Sequence, residues 1–236
     1  DDGRTTICDE NHLWKVCDKK DATYNSHWWK VLITKQLVKL FDTNLADTNK
    51  NVYVPLVLDG DADDKLSLAM PPYIMGALIS GKCKILPDGL SFHNNHVAEK
   101  IASLLLDSSI AKISTTTSVI SPDLVELIQL FDISRMLSWE RVLTSEYLNG
   151  SADQRMELLN GIIDAAGVVS SGKNPLFKVL VHSHKLALQI QQLVRSVGGW
   201  CKLYISEHRS HIYKGVRKTG RAIYGLSIKH PNMTRL

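Results

Sequence analysis

Residues 157–167 read ELLNGIIDAAG, and residues 72–82 read PYIMGALISGK. Both stretches are apolar at helical spacing, so each predicts a helix. Each also contains a glycine followed four residues later by another small residue, which pairs Gly76 with Ser80 and Gly161 with Ala165. Small residues four apart lie on one helix face and let a second helix backbone approach closely. We therefore expect these two helices to pack against each other.

The same order of elements is predicted twice around these helices. Further helices are expected at Asn95–Leu106 and Pro122–Phe131, and at Ser183–Val197, where Gly198 and Gly199 end the helix. β-Branched runs predict strands at Ile110–Thr116, Phe177–Val181, Trp200–Ile205 and Ala222–Ile228. The pattern indicates an internally duplicated α+β domain with repeats at about 67–135 and 151–236.

The first 66 residues have a different character. Arg4–Val16 and His27–Ile33 are rich in β-branched and aromatic residues, which favours strands. Thr34 is predicted to cap a short amphipathic helix, and the acidic run at 59–64 is typical of an exposed linker. We place a domain boundary near residue 66, which separates a β-rich segment, 1–66, from the duplicated domain, 67–236.

Composition excludes several classes of protein. The 236 residues are 44% hydrophobic and 22% charged, which is typical of a globular chain with a core. No apolar run reaches the ~18 residues of a membrane span, and no secretory leader is visible, so we expect a cytoplasmic protein. The four cysteines form no C-x-x-C pair, so free thiols are expected and a zinc site is not.

Charge is distributed unevenly along the chain. Residues 155–236 contain thirteen lysines and arginines against three acids, a net charge of +10, whereas the rest contains fifteen against twenty-one, −6. Such a basic region indicates either a surface for nucleic acid or an ordinary solvated surface. The candidate DNA-binding residues are Lys173, Lys178, Lys202, Arg209, Lys214, Arg217, Lys218 and Arg221.

The paired motifs resemble those of the LAGLIDADG, or dodecapeptide, homing endonucleases, in particular those carried within inteins. The flanking stretches YLNGSADQR, 147–155, and SHKLALQIQQLVRSVGG, 183–199, are similar to the same family, so the resemblance covers roughly residues 66–230. It implies two pseudo-symmetric αββαββα-like repeats that form a saddle over double-stranded DNA, and a monomer. It also implies cleavage by carboxylates that hold Mg²⁺ at the scissile phosphates.

The chain departs from that family where the carboxylates belong. Aligned on the motif glycines, the two acidic positions are Gly81 and Ala166, and neither side chain binds a metal. Asp164 lies two residues earlier; its expected role is structural, and a role as a metal ligand is the alternative. We therefore expect DNA binding with cleavage lost. A non-catalytic regulatory module on the same fold and a structural insertion in a splicing protein are the alternatives.

The amino-terminal segment resembles the interior of intein splicing domains, particularly those that interrupt phage terminase large subunits. This resemblance implies a bacterial or phage-infected cell as the location. The similarity lies in residues 2–16 and 53–56, and it implies that His12 is the histidine that assists the first acyl shift. A packed or surface histidine is the alternative. The chain begins with Asp1 and closes with Leu236, so we expect splicing only with further intein segments or a host protein.

Overall fold

The computed structural model describes residues 6–17, 29–43, 54, 65–113, 115–171, 175–206, 210–213 and 216–230; at 41–43, 113, 206, 210–213 and 216–219 it describes the backbone alone. The chain divides into two compact units, Asp1–Asp59 and Gly60–Leu236. The boundary predicted near residue 66 lies a few residues inside the second unit.

The first unit contains a small hairpin and a helix. Strands β1 (Leu13–Val16) and β2 (Lys30–Ile33) pair antiparallel, and α1 (Thr34–Thr43) follows directly. The strand predicted over Arg4–Val16 is too long, because residues 6–12 are not extended into the sheet. The Asp9 carboxylate accepts a hydrogen bond from the backbone N–H of Asn11 at 2.7 Å, which makes a turn before β1.

The first repeat of the second unit has the predicted αββαββα order. Its elements are α2 (Pro72–Ile79), β3 (Lys84–Leu86), β4 (Gly89–Phe92), α3 (Asn95–Ser103), β5 (Ser109–Ile113), β6 (Thr116–Ile120) and α4 (Pro122–Leu130). The strands form an antiparallel sheet, sheet one, in the order β3-β4-β6-β5.

The second repeat follows the same order as far as its last described strand, with one insertion. After the short helix α5 (Ser145–Leu148) come α6 (Ala152–Ala166), β7 (Val168–Val169), β8 (Phe177–Val181), α7 (His184–Ser196), β9 (Trp200–Ser206), β10 (Ser210–Tyr213), β11 (Val216–Thr219) and β12 (Ile223–Lys229). Sheet two has the order β7-β8-β12-β9, and β10 and β11 form a separate hairpin. The predicted α+β class with two repeats is therefore confirmed.

Capping side chains explain where these helices begin. The side chains of Asn94, Ser121 and Ser183 each accept a backbone N–H from the first turn of α3, α4 and α7. At α6, Ser151 and Gln154 form a reciprocal capping box. These polar residues directly precede apolar periodic stretches, which is why the sequence located the helix starts well.

One predicted strand is wrong. The expected single strand over Ile110–Thr116 is a hairpin, in which β5 runs to Ile113 and β6 begins at Thr116. The residues between them in sequence, Ser114 and Thr115, include no Gly, Asn, Asp or Pro, so the turn has only a weak sequence signal.

Each sheet packs one face against helices. Leu90 and Val119 of sheet one and Val179 and Leu226 of sheet two are fully buried in the common core. Alternation along a strand sends the intervening residues to the other face, which we call the open face of each sheet. Among the helices of the described residues, none combines the length and apolar character needed to span a bilayer.

Candidate nucleic-acid interface

Helices α2 and α6 pack backbone to backbone at their glycines. A Cβ at Gly76 would collide with the carbonyl oxygen of Leu158, and a Cβ at Gly161 would collide with that of Tyr73. Leu158 precedes Gly161 by three residues, just as Tyr73 precedes Gly76, so the two contacts are equivalent under the repeat. The predicted packing of the two helices is confirmed, and it relates the two sheets by a pseudo-two-fold axis.

The carboxyl end of α2 contains the first of the two acidic positions of the motif. Gly81 has φ +75°, a left-handed conformation that favours glycine, and its N–H donates to the Leu78 carbonyl at 3.1 Å. The Nη1 of Arg141 donates to the same carbonyl at 3.2 Å. A Cβ at position 81 would collide with that Nη1 and lie 3.2 Å from the guanidinium carbon. This position therefore faces a cation instead of supplying a carboxylate.

The carboxyl end of α6 contains the second position. Ala166 is only 9% exposed and belongs to the core, and the following Gly167 donates its N–H to the Ile163 carbonyl at 2.6 Å. Within the described residues no group of three or more His, Cys, Asp or Glu side chains is placed to hold a metal. The residues present therefore do not fit the Mg²⁺ that the resemblance implies.

Asp164 is used in contacts between the repeats. Its Oδ2 accepts a hydrogen bond from the Tyr73 hydroxyl at 2.9 Å, and its backbone carbonyl accepts one from Nδ2 of Asn94 at 3.3 Å. Burial, and then this hydrogen bond and the charge of Asp164, raise the pKa of Tyr73 above its ordinary value. Asp164 thus accepts two hydrogen bonds from the first repeat, and its role remains a prediction.

Removal of the Tyr73 hydroxyl is expected to destabilise the second unit. Tyr73→Phe leaves the half-buried Asp164 carboxylate without its donor, at a cost of about 1 kcal/mol in urea unfolding. The pKa of Tyr73 is higher in the folded state than in the unfolded state. The neutral phenol therefore contributes fully to the free energy of unfolding below pH ~10, and this contribution decreases as the pH rises further. The difference in stability should therefore shrink above that pH. Tyr204→Phe is the control, and an equal loss there would contradict the assigned role.

Two predicted DNA-binding lysines lie in one row on the open face of sheet two. Ser227 of β12 is directly opposite Lys178 on one side and Lys202 on the other. Adjacent strands are about 4.8 Å apart, so the two exposed lysines start from backbone positions about 10 Å apart. The ring of Tyr204 covers Gly225 on the same face, with its hydroxyl oxygen 2.6 Å from where a Cβ would stand.

The open face of sheet one has its own cationic cleft, which sequence reasoning missed. The cleft has a volume of about 610 Å³, and its lining includes Gly81, Lys82, Lys84 and His93 but no acidic residue. Lys84 lies opposite Ser91 in the β3–β4 pair. The only sequence signal for this cleft is the pair of lysines that follows the first motif.

The remaining predicted residues are placed as follows. The guanidinium of Arg221 stacks on Trp139, 3.5 Å from the ring centroid, so it is already engaged within the chain. Arg217 and Lys218 lie on β11, of which only the backbone is described, and Lys173, Arg209 and Lys214 lie outside the described residues. The structure thus brings together Lys178 and Lys202 from the predicted set.

His12 belongs to the first unit. It directly precedes β1, its backbone carbonyl accepts the N–H of Thr34 at 3.0 Å, and its ring meets Trp14 edge-on at 5.0 Å between centroids. These contacts describe a histidine at the start of a hairpin, next to an aromatic neighbour.

No protein-family profile and no curated protein matches the chain. Solved structures of I-DmoI are similar to it. I-DmoI in complex with DNA and Mn is 11% identical, with 70% of this chain and 94% of that chain covered and a TM-score of 0.38. An I-DmoI variant with its target DNA and Mg is 15% identical, with 68% and 89% covered and a TM-score of 0.39. A structure of mesophilic variants of the homing endonuclease I-DmoI is 12% identical, with 70% and 94% covered and a TM-score of 0.37. The description of the fold given above rests on the chain's own two repeats.

Proposed function

We propose that residues 67–236 form a LAGLIDADG-type domain that binds double-stranded DNA on the open faces of its two sheets and does not cleave it. One observation carries this proposal. The described strands of both sheets contain no Asp or Glu at all, whereas their open faces carry the lysines Lys84, Lys178, Lys202 and Lys229. The acids in the described part of this unit lie on its helices and connections.

This separation of charge fits a polyanion. Contacts from lysine to phosphate release condensed counterions and supply most sequence-independent affinity for DNA. Strands also fit the major groove, where base edges are read. The helix ends at Gly81 and Ala166 supply no ligand for a cation, so binding is expected without Mg²⁺-dependent chemistry.

Neutralising the lysine row is expected to weaken DNA binding. Lys178→Gln with Lys202→Gln removes two phosphate contacts, so the slope of log affinity against log salt should become shallower by about 2, with an affinity loss of roughly a hundredfold at low salt. Fluorescence anisotropy with a labelled duplex measures both.

The matched control changes the same number of charges away from the open faces. Lys112 lies opposite Thr117, which is on the same face of β6 as the core residue Val119, so Lys112 is on the helix side of sheet one. Lys185 lies on α7. Lys112→Gln with Lys185→Gln should leave the slope near that of the wild type. Equal effects of the two pairs would mean that the protein binds through diffuse charge and not through these faces.

Selection from a randomised duplex library, once with Mg²⁺ and once with EDTA, separates recognition from cleavage. We expect one enriched bound sequence in both conditions and no cut ends in either. Cut ends that require Mg²⁺ would show that another acid, such as Asp164, performs the chemistry. Binding that is absent at low salt would instead favour a structural insertion.

We also propose that the first unit derives from an intein splicing domain, on the resemblance of residues 2–16 and 53–56. The hairpin that begins beside His12 is compatible with this origin. The test supplies an amino-terminal segment that begins with Cys and a carboxyl-terminal segment that ends in His-Asn, each fused to half of a reporter. Ligated reporter that is lost in His12→Ala is the expected result, and its absence from the unmodified chain would oppose the proposal.

A further inference from the structure

Arg141 reaches the end of α2 from the connection between the repeats. This connection, residues 131–144, follows α4, and its arginine hydrogen-bonds the Leu78 carbonyl beside Gly81. The carboxyl end of a helix carries partial negative charge and attracts a cation. The absence of a side chain at Gly81 leaves space for the guanidinium. The charge is therefore fixed at the position where the motif would otherwise place a carboxylate.

The charge of Arg141 has no counter-ion within the described residues. The ion pairs there are Lys35 with Glu10 and Arg135 with Asp132, and neither involves Arg141. Its Nε is buried and without a hydrogen-bond partner. Burial raises the pKa of the neighbouring Cys83 thiol to about 11, although the charge of Arg141 opposes the shift, so this thiol is neutral at ordinary pH.

A half-buried guanidinium without an anion is costly for a folded protein. The guanidinium lies against Gly81. Gly81 lines a cleft together with Lys82, Lys84 and His93, and no acid lines this cleft, which favours an anionic ligand beside Arg141. Arginine is also the side chain best suited to bind phosphate, since its fork of donors matches the phosphate oxygens.

We propose that Arg141 binds a backbone phosphate of the DNA at the end of the paired helices, and so supplies a fixed positive charge where a metal ion would be needed if the acids were present. This inference rests on the proposed DNA binding. It makes Arg141 a DNA-contacting residue that lies outside both motifs, and it predicts DNA binding that does not require Mg²⁺.

The first test measures the affinity of the duplex recovered by the selection, in EDTA and in Mg²⁺, for wild type and Arg141→Gln. The variant should bind about tenfold more weakly, and its salt slope should be shallower by about 0.9, the value for one phosphate. Both changes should be the same with and without Mg²⁺. Arg135→Gln is the control from the same connection, because Arg135 is exposed and pairs with Asp132, and its slope should stay that of the wild type.

A second measurement uses wild-type protein, so it does not depend on the stability of a variant that loses the contact with α2. Central phosphates of the duplex are replaced one at a time by neutral methylphosphonates. We expect about tenfold weaker binding at one central step, and no further loss at that step in Arg141→Gln. A flat profile, or an unchanged slope in a folded Arg141→Gln, overturns the inference and leaves Arg141 as a helix cap. Wild-type protein that shows no salt-dependent binding would instead overturn the proposed function.

Discussion

Replacing Gly161 with alanine is expected to destabilise the second unit by roughly 3 kcal/mol, the upper range for overpacked interiors. A Cβ there would collide with the Tyr73 carbonyl oxygen, and it would lie 2.9 Å from the carbonyl carbon and 3.1 Å from the Ala77 nitrogen. All three are backbone atoms of α2, so they cannot move aside as a flexible side chain would. The helices would have to separate, and the core between the two sheets would open with them. Urea unfolding followed by circular dichroism measures the loss.

Two further substitutions test whether the loss of stability is specific to the contact between α2 and α6. Gly76→Ala should cost a similar amount, because its Cβ meets the backbone of α6 in the equivalent place. Asn160→Ala lies on the same helix at a partly exposed position and should be neutral or slightly stabilising, since alanine is the better helix former. If Gly161→Ala is as stable as Asn160→Ala, the close helix contact described here is wrong.

The helix pair was predictable from sequence because its cause is local. Two glycines, each followed by a small residue four positions later, define a face that any packed helix must use. The cap residues of α3, α4, α6 and α7 likewise lie next to the helices that they begin. Local signals of this kind located the helices of both repeats, whereas the hairpin β5–β6 was predicted as a single strand because its turn has no Gly, Asn or Pro.

The site was predictable only in part, because its contacts join distant residues. Lys178 and Lys202 were candidates by charge, but their common row depends on the β8-β12-β9 register, which brings Ser227 between them. Arg221 was a candidate on the same ground, yet it stacks on Trp139, from the connection between the repeats. Arg141 was not a candidate, because nothing near it in sequence shows that it reaches Gly81.

Restoring both acids is expected to leave the protein without a functional metal site. In Gly81→Asp with Ala166→Asp, the new carboxylate at position 81 would lie against the Arg141 guanidinium and form an ion pair with it. Mg²⁺ would then have to displace, or lie beside, a fixed positive charge. Repulsion between unit charges about 4 Å apart is on the order of 1–4 kcal/mol near a protein surface, and it is larger for a divalent ion.

Adding Arg141→Gln to the two acids is therefore expected to tighten Mn²⁺ binding by tenfold or more, because the competing cation is gone. Electron paramagnetic resonance titration without DNA measures this directly, and it separates metal affinity from the weaker DNA binding expected of Arg141→Gln. Arg135→Gln added to the same two acids should give no gain, since its charge is already paired with Asp132.

Thermal unfolding of each variant is needed beside the titration, because position 166 lies in the core and Gly81 has a positive φ. If the double-acid protein already binds Mn²⁺ as tightly as the triple variant, Arg141 does not occupy the metal position. The absence of cleavage that we propose would then rest on the lack of carboxylates at positions 81 and 166 alone.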